Sequence, residues 1–329
     1  MNWISLGDFI DIYFKVKQRG WKFLLSKFRL KEEQRIKTTW QNVDINSSNW
    51  WIIPIVNKRW NYLISGNSAI KYTDYVVNKY FKNRTGLKML SPGCGNGSHE
   101  IEFAKYKCFE SIEAFDIADN RINLAIKEVS DLNLTNLKYF TANIYNFNFE
   151  NEKYDLILFC SSLHHFRNLW ELLQKVKNSL KPNGLLIIHE YVGPNRFQYP
   201  DKQINIINEL LINEVPLKYR TRLNSNSVKS RVYSPGLLRM IISDPSEAIR
   251  SSDIITTLRN NFNIVEEIKL GGDILHLLLK DIAHNFLDNK KETLEILERL
   301  LIIEDRYLAD KEISDFMFGI YRKKNEKSF

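Results

Sequence analysis

The stretch Leu87-Lys88-Met89-Leu90-Ser91-Pro92-Gly93-Cys94-Gly95-Asn96-Gly97-Ser98 decides how this chain folds. It reads as the end of a strand, a tight glycine turn and the start of a helix. Three alternate glycines let the backbone bend sharply and come close to a ligand. Ile101 and Ala104 then follow at the spacing of one buried helical face.

A nucleotide-like ligand lying on such a turn needs an acidic residue at the tip of the next strand, about 20 residues on, to hold ribose hydroxyls. Glu113-Ala114-Phe115-Asp116 ends a strand-like run, so Asp116 fills that position. The glycine spacing argues against a dinucleotide. That fingerprint is G-x-G-x-x-G, whereas this chain has G-x-G-x-G followed by Ser98 and His99.

Further strands follow in order. Asp119 opens a helix with Ile122, Ala125, Ile126 and Val129 on one face. Leu137–Ala142 reads as the third strand, with Asn143 and Ile144 at its tip. Tyr154–Cys160 is a continuous apolar run, as expected of a central parallel strand buried on both faces. Ser161-Ser162-Leu163-His164-His165-Phe166 stands at its carboxyl end, where open α/β sheets bind ligands. A helix over 169–180, a stop at Lys181-Pro182-Asn183-Gly184 and a fifth strand Leu185–Tyr191 complete the run.

From Gly93 to Tyr191 this order resembles the class I S-adenosylmethionine-dependent methyltransferases. The resemblance implies an α/β fold: a doubly wound, mostly parallel seven-stranded Rossmann-like methyltransferase sheet, here with helical N-terminal and C-terminal extensions. It also implies S-adenosyl-L-methionine as cofactor. Gly93, Gly95 and Gly97 would cradle its methionine arm and Asp116 its ribose. Asn143, through its side-chain carbonyl, and Ile144 would take the adenine, with Cys160 and Ser161 completing the cofactor site. One position departs. Ser91 stands where the family often has an acidic residue, which removes an anchor for the methionine amine. The segments Glu190–Gln198 and Asp244–Ser251 resemble a bacterial subset associated with surface polysaccharide or small-molecule pathways.

The organisation expected is a basic helical extension and cap over 1–85, the cofactor core over 86–193 and an inserted substrate lid over 194–245. Completion of the sheet over 246–280 and a helical tail over 281–329 follow. The last two strands are expected at Phe262–Val265 and Asp273–Leu279. The lid carries an expected helix from Lys202 to Glu214 and the basic residues Lys218, Arg220, Arg222, Lys229 and Arg231, suited to a carboxylate or phosphate.

Charge is uneven along the chain. Residues 1–85 hold 15 Lys and Arg against 6 Asp and Glu, while the whole chain is only +8. The densest part, Phe14–Lys31, reads chiefly as a solvated helical face, with peripheral contact to an anionic inner membrane face as the alternative. No DNA partner is expected, and a homo-oligomer is compatible with the extensions. No apolar run approaches the ~18 residues of a membrane span. Dispersed Cys94, Cys108 and Cys160 form neither a metal spacing nor a disulfide framework, so a cytoplasmic setting is expected.

Methyl transfer needs alignment and, for a hydroxyl acceptor, a base. His165, His164 and Glu190 are the catalytic candidates, because all end central strands. Tyr191, Arg196, Gln198, Arg250 and Trp60 are the substrate-binding candidates, with Arg59 and Asn61 flanking Trp60 in a cap entered through Pro54. A metal on His164, His165 and Glu190 has no diagnostic spacing, so no metal is expected. The reading is a methyltransferase acting on oxygen or nitrogen of a small molecule or glycan. An RNA methyltransferase and a catalytically silent scaffold subunit are the alternatives.

Overall fold

The computed structural model describes residues 3–19, 32–40 and 48–324. Its centre is one seven-stranded sheet. The strands are β1 (Leu87–Pro92), β2 (Phe109–Asp116), β3 (Leu137–Thr141), β4 (Tyr154–Cys160), β5 (Leu180–Tyr191), β6 (Phe262–Gly271) and β7 (Phe316–Lys323), in the order β3-β2-β1-β4-β5-β7-β6. Pairing is parallel from β3 to β5, and β7 runs antiparallel to both neighbours.

Alternation builds two cores from one strand. In β4, Leu156 and Leu158 pack into one cluster with Met89, Ile112 and Ile187, while Ile157 and Phe159 join Leu90, Phe115 and Ile188 in another. Successive side chains of a strand point to opposite faces, so an unbroken apolar run is what a doubly covered strand requires. Each such side chain, fully buried, contributes about 1.5–3 kcal/mol.

Helices α1 (Leu6–Arg19), α2 (Glu32–Trp40), α3 (Pro54–Ser65) and α4 (Tyr72–Tyr80) precede the sheet. Only the start of the basic stretch Phe14–Lys31 falls in α1, and the remainder lies outside the described residues. Proline opens α3 at its first turn, and Gly66 closes it in the left-handed region. Then come α5 (Ser98–Ala104), α6 (Asp119–Asp131), α7 (Leu169–Ser179), α8 (Asp201–Asn213), α9 (Leu237–Ser243), α10 (Ile254–Asn261), α11 (Leu275–Leu279) and α12 (Lys291–Leu308). No helix among the described residues is long and apolar enough to cross a membrane.

Three features differ from the sequence-based expectation. The stop expected at Lys181–Gly184 lies within β5, beside a register irregularity opposite Tyr154 and Leu156. Asp273–Leu279 is not a strand, because its apolar part coils into the short helix α11. The buried Glu304 carboxylate accepts the backbone N–H groups of Gly272, Ile274 and Leu275 there and so fixes the helix start. The antiparallel strand comes instead from Phe316–Lys323, inside the tail expected to be helical. Short apolar runs buried all round carry no period that separates strand from helix, and only pairing with β5 and β6 decides.

Candidate active site

The carboxyl ends of β1, β2, β4 and β5 open into a cavity of about 1330 Å³. Residues from α3 and α4, the stretch 222–247 and α11 close it from the other side. At the turn after β1, Gly93, Gly95 and Gly97 all have positive φ (72°, 58° and 78°). Their reasons differ. A Cβ on Gly97 would stand 2.2 Å from Tyr139 Oη, and one on Gly93 would stand 2.7 Å from Ser162 Cβ. Those close approaches require glycine at both positions, and of the two only Gly93 lines the cavity. At Gly95 the nearest atom to such a Cβ is Arg121 Nη1 at 3.5 Å, so this is where a ligand can approach the backbone.

Asp116 lines the cavity at the tip of β2. Its two oxygens accept Gly95 N–H at 3.0 Å and Ala118 N–H at 2.9 Å, so one carboxylate ties the glycine turn to the next helix. Lone pairs remain for a ribose. Ile144, Cys160 and Ser161 line the same wall, with Ser161 in the left-handed region. Asn143 also lies there, but its carbonyl accepts Tyr145 N–H at 3.0 Å and its amide donates to Glu33 at 3.1 Å. That carbonyl therefore also caps a turn, with one lone pair left.

Ser91, which stands where an acidic anchor was missing, is bonded to a buried acid. Ser91 Oγ donates to Glu100, a buried carboxylate whose Oε2 has no partner among the described residues. Burial pushes Glu100 up to about 7, against the pull of the Ser91 hydrogen bond. An open glycine and a strand-tip carboxylate line the cavity side by side and fit a cofactor with a ribose, and the orphaned acid lies buried outside that lining.

Five of the six histidines, His99, His164, His165, His189 and His276, line the cavity. His164 and His165 sit on a single 3-10 turn after β4. His164 Nδ1 lies 2.7 Å from Glu190 Oε2 and its Nε2 lies 3.5 Å from Glu247 Oε1. Burial alone would depress this imidazole, but Glu190 and then Glu247 outweigh it and hold His164 at about 10. Burial and the neighbouring His164 instead lower His165. Its Nδ1 lies 3.1 Å from Ser246 Oγ, which gives its proton to Asp244 Oδ1 at 2.6 Å. Nδ1 is therefore the donor, and Nε2 keeps the lone pair.

Glu190 does not reach the cavity. It is fully buried and accepts from Ser162 N–H at 2.5 Å and Leu163 N–H at 2.6 Å besides His164, which makes it a positioning residue rather than a base. Of the expected substrate residues, Trp60 and Tyr191 line the cavity, and Trp60 Nε1 is held by Leu270 O at 3.0 Å. Arg196, Gln198 and Arg250 do not line it. Arg196 spends its guanidinium on the carbonyls of Pro245 (2.6 Å) and Glu247 (2.9 Å), Gln198 donates to Pro235 O (2.7 Å), and Arg250 is an exposed partner of Asp253. Asn61 faces the cavity, whereas Arg59 turns to Asp305. Among the basic residues after α8, Arg222 pairs with Asp281 at 2.8 Å and Lys229 donates to three carbonyls around 277–280. Lys218 pairs with Glu292 and Arg220 binds carbonyls in its own segment, while Arg231 reaches the cavity over the ring of Tyr233.

Sequence reasoning missed Trp40, Tyr72, His276 and Glu247. Glu247 lay in a motif already singled out, Asp244–Ser251, but nothing local tied it to His164. His276 was hidden in the apparent strand, and Trp40 meets His165 edge-on at 5.1 Å only through the tertiary fold.

A parallel sheet with one antiparallel strand next to its edge, a glycine turn after β1 and an acidic tip on β2 define the class I methyltransferase fold. A methyltransferase domain model matches residues 83–291, and the chain belongs to that family, whose cofactor is S-adenosylmethionine. The chain is also similar to N-methyltransferase 4 of Papaver somniferum, with 31% identity over 110 residues. That match takes in 32% of this chain and spans about a third (31%) of the length of the relative. Geranyl diphosphate C-methyltransferase from Streptomyces coelicolor A3(2), solved with Mg2+, geranyl diphosphate and S-adenosyl-L-homocysteine, shares the fold. Its TM-score is 0.52 at 9% identity, over 90% of this chain and 98% of that one. Phosphoethanolamine N-methyltransferase 2 of Haemonchus contortus, solved with S-adenosyl-L-methionine, overlays with a TM-score of 0.44 at 16% identity, over 83% of this chain and 57% of that one.

Proposed function

We propose that this chain transfers the methyl group of S-adenosylmethionine to an oxygen or nitrogen of a small molecule or glycan. The observation that carries this is the size and lining of the cavity at the strand tips. At about 1330 Å³ it exceeds the roughly 300–1,000 Å³ of a pocket for one ligand, which leaves room for an acceptor beside the cofactor. When bound, the cofactor supplies a methyl on a sulfonium, whose leaving group is neutral.

The chain's own residues then have three tasks. Asp116, Gly95 and Ile144 hold the nucleoside side. Trp60, Tyr72, Tyr191 and Phe197 form apolar walls that exclude water from the acceptor side. His165 Nε2, with its lone pair fixed by the Ser246–Asp244 chain, takes the acceptor proton as the bond to carbon forms. Alignment of the acceptor in line with the sulfonium supplies most of the rate.

The test is calorimetric titration with S-adenosylmethionine and with S-adenosylhomocysteine, followed by a screen of sugars, lipid-linked glycans and small amines or phenols for methylated product by mass spectrometry. Binding of both, with product from at least one acceptor, is expected. Failure of both to bind defeats the reading.

A further inference from the structure

Two imidazoles and a carboxylate converge beside the tip of β4. Donor atoms of His164, His165 and Glu247 all lie within 4.8 Å of one another, although Glu247 is more than 80 residues along the chain. His164 Nε2 and Glu247 Oε1 are 3.5 Å apart. That is long for a charge-assisted hydrogen bond, which spans about 2.7–2.9 Å. It is close to the spacing of two ligands on one ion, since bonds of about 2.1 Å meeting at a tetrahedral angle separate their donor atoms by about 3.4 Å.

The surroundings are those of an outer shell. His164 Nδ1 is held by Glu190, itself fixed by two backbone N–H groups of the turn that carries the histidines. His165 Nδ1 is held by Ser246, itself fixed by Asp244. Ligating histidines almost always have such a partner on the other ring nitrogen. The loop bearing Glu247 is tied down as well. Arg196 binds its carbonyls, and Ile249 N–H donates to His164 O at 3.1 Å. Three carboxylates, Glu190, Glu247 and Asp244, thus gather about two imidazoles, and a dication would offset their charge.

We propose that His164, His165 and Glu247 form a binding site for one divalent first-row transition metal ion. Two imidazoles favour zinc, cobalt, nickel or iron over magnesium and calcium, which prefer oxygen. Three protein ligands leave a further position open towards the cavity. With the ion bound, His165 Nε2 is a ligand and no longer the base, and an acceptor hydroxyl on the open position would instead lose its proton to solvent more readily. This role rests on the methyl-transfer reading, while the site itself does not.

The experiment uses the full chain, stripped with a chelator and titrated with Zn2+ by calorimetry and with Co2+ by visible absorption. One ion per chain is expected, with a dissociation constant in the micromolar range or tighter and the intense visible bands of a four-coordinate cobalt site. Glu247→Gln and His165→Ala should each weaken Zn2+ by at least about 100-fold. Glu190→Gln, which leaves the ligands in place, should weaken it by about 10–100-fold. His284→Ala, outside the cavity, should change nothing. Thermal melts identify any variant that fails to fold, and the folded variants decide the outcome.

Wild-type protein that binds no Zn2+ at millimolar concentration overturns the proposal. So does binding that Glu247→Gln and His165→Ala leave intact, which marks an adventitious ion only. Titration of the same stripped sample with S-adenosylhomocysteine reports separately on the methyltransferase reading. Loss of one binding without the other therefore identifies which of the two fails.

Discussion

The two ends of the cavity are built from different kinds of sequence. The strand-tip end takes Gly95, Asp116, Ile144, Cys160 and Ser161, each standing just where a parallel strand stops. The lid end takes Trp60, Tyr72, Tyr191, Phe197, Glu247 and His276, of which only Phe197 falls within 194–245, and these scattered residues meet only in the folded chain. A parallel sheet puts all its strand tips at one edge, so a cofactor site follows from the sheet itself. What covers that edge is added by insertions, and their order in the chain says little about their contacts. One end of the cavity is thus prescribed by the fold, and the other is free to vary with the acceptor.

The largest effect should break the strand-tip end alone. Asp116→Ala removes the acceptor of two backbone N–H groups along with the contact proposed for ribose. Hydrogen bonds to a charged group are worth about 1.5–3 kcal/mol each. Calorimetry with S-adenosylmethionine should therefore detect no binding, and an unchanged affinity would remove Asp116 from the cofactor site. Next comes the boundary between the ends. His165→Ala should lower turnover by about 10²–10⁴-fold while cofactor affinity stays the same. A wild-type rate would take His165 out of the reaction, and a matching loss of cofactor affinity would mean that the two ends are not separable.

Acid should act on the buried histidines that line the cavity. His189 and His276 are buried, and that burial, reinforced by His99 and Lys280 respectively, lowers them to about 4 and about 3. Trp60, Tyr72 and Phe318 surround His189, and no carboxylate pairs with its ring among the described contacts. The unfolded chain takes up protons at the ordinary histidine value near 6.5, whereas the folded chain does so only near its lowered value. Between those values the unfolded state binds more protons, so stability is complete above about pH 6.5 and falls as the pH drops towards 4. The loss at His189 is on the order of 3 kcal/mol. Thermal melts from pH 7.5 to 4 should show it, and His189→Phe should flatten the curve over that window. An unflattened curve would assign the acid sensitivity elsewhere.

The same contrast explains what could be read without the structure. β1 to β5, the glycine turn and Asp116 were legible because each is a local pattern: an apolar run, a turn residue, a residue at a strand end. The exchange of α11 and β7 was not, because Leu275–Leu279 and Phe316–Tyr321 are both short apolar runs, and pairing partners far along the chain decide between helix and strand. Glu190 misled for a related reason. A carboxylate at a central strand end reads as a base, and only its full burial and its bonds to Ser162, Leu163 and His164 reveal a scaffold. Glu247 is the converse case, a residue in a surface-type sequence that the fold brings against His164.

The smallest effects separate two arginines that the sequence could not tell apart. Both were expected to bind substrate, and neither lines the cavity. Arg196 sits in the left-handed region with φ 56° and spends its donors on the carbonyls of Pro245 and Glu247. Removing it frees the segment that carries Asp244, Ser246 and Glu247, and leaves buried carbonyls without partners. Arg196→Ala should therefore raise the acceptor KM and lower kcat together, by about tenfold, which is 1.4 kcal/mol, about the worth of one such hydrogen bond. Arg250 has only an exposed i, i+3 pair with Asp253. Such pairs are worth about 0–1 kcal/mol in stability and touch nothing in the cavity. Arg250→Ala should leave kcat and KM within twofold of the wild type. If Arg250→Ala proves as damaging as Arg196→Ala, then the acceptor extends beyond the cavity and over the 250–253 turn, and the lid end is larger than its enclosed walls.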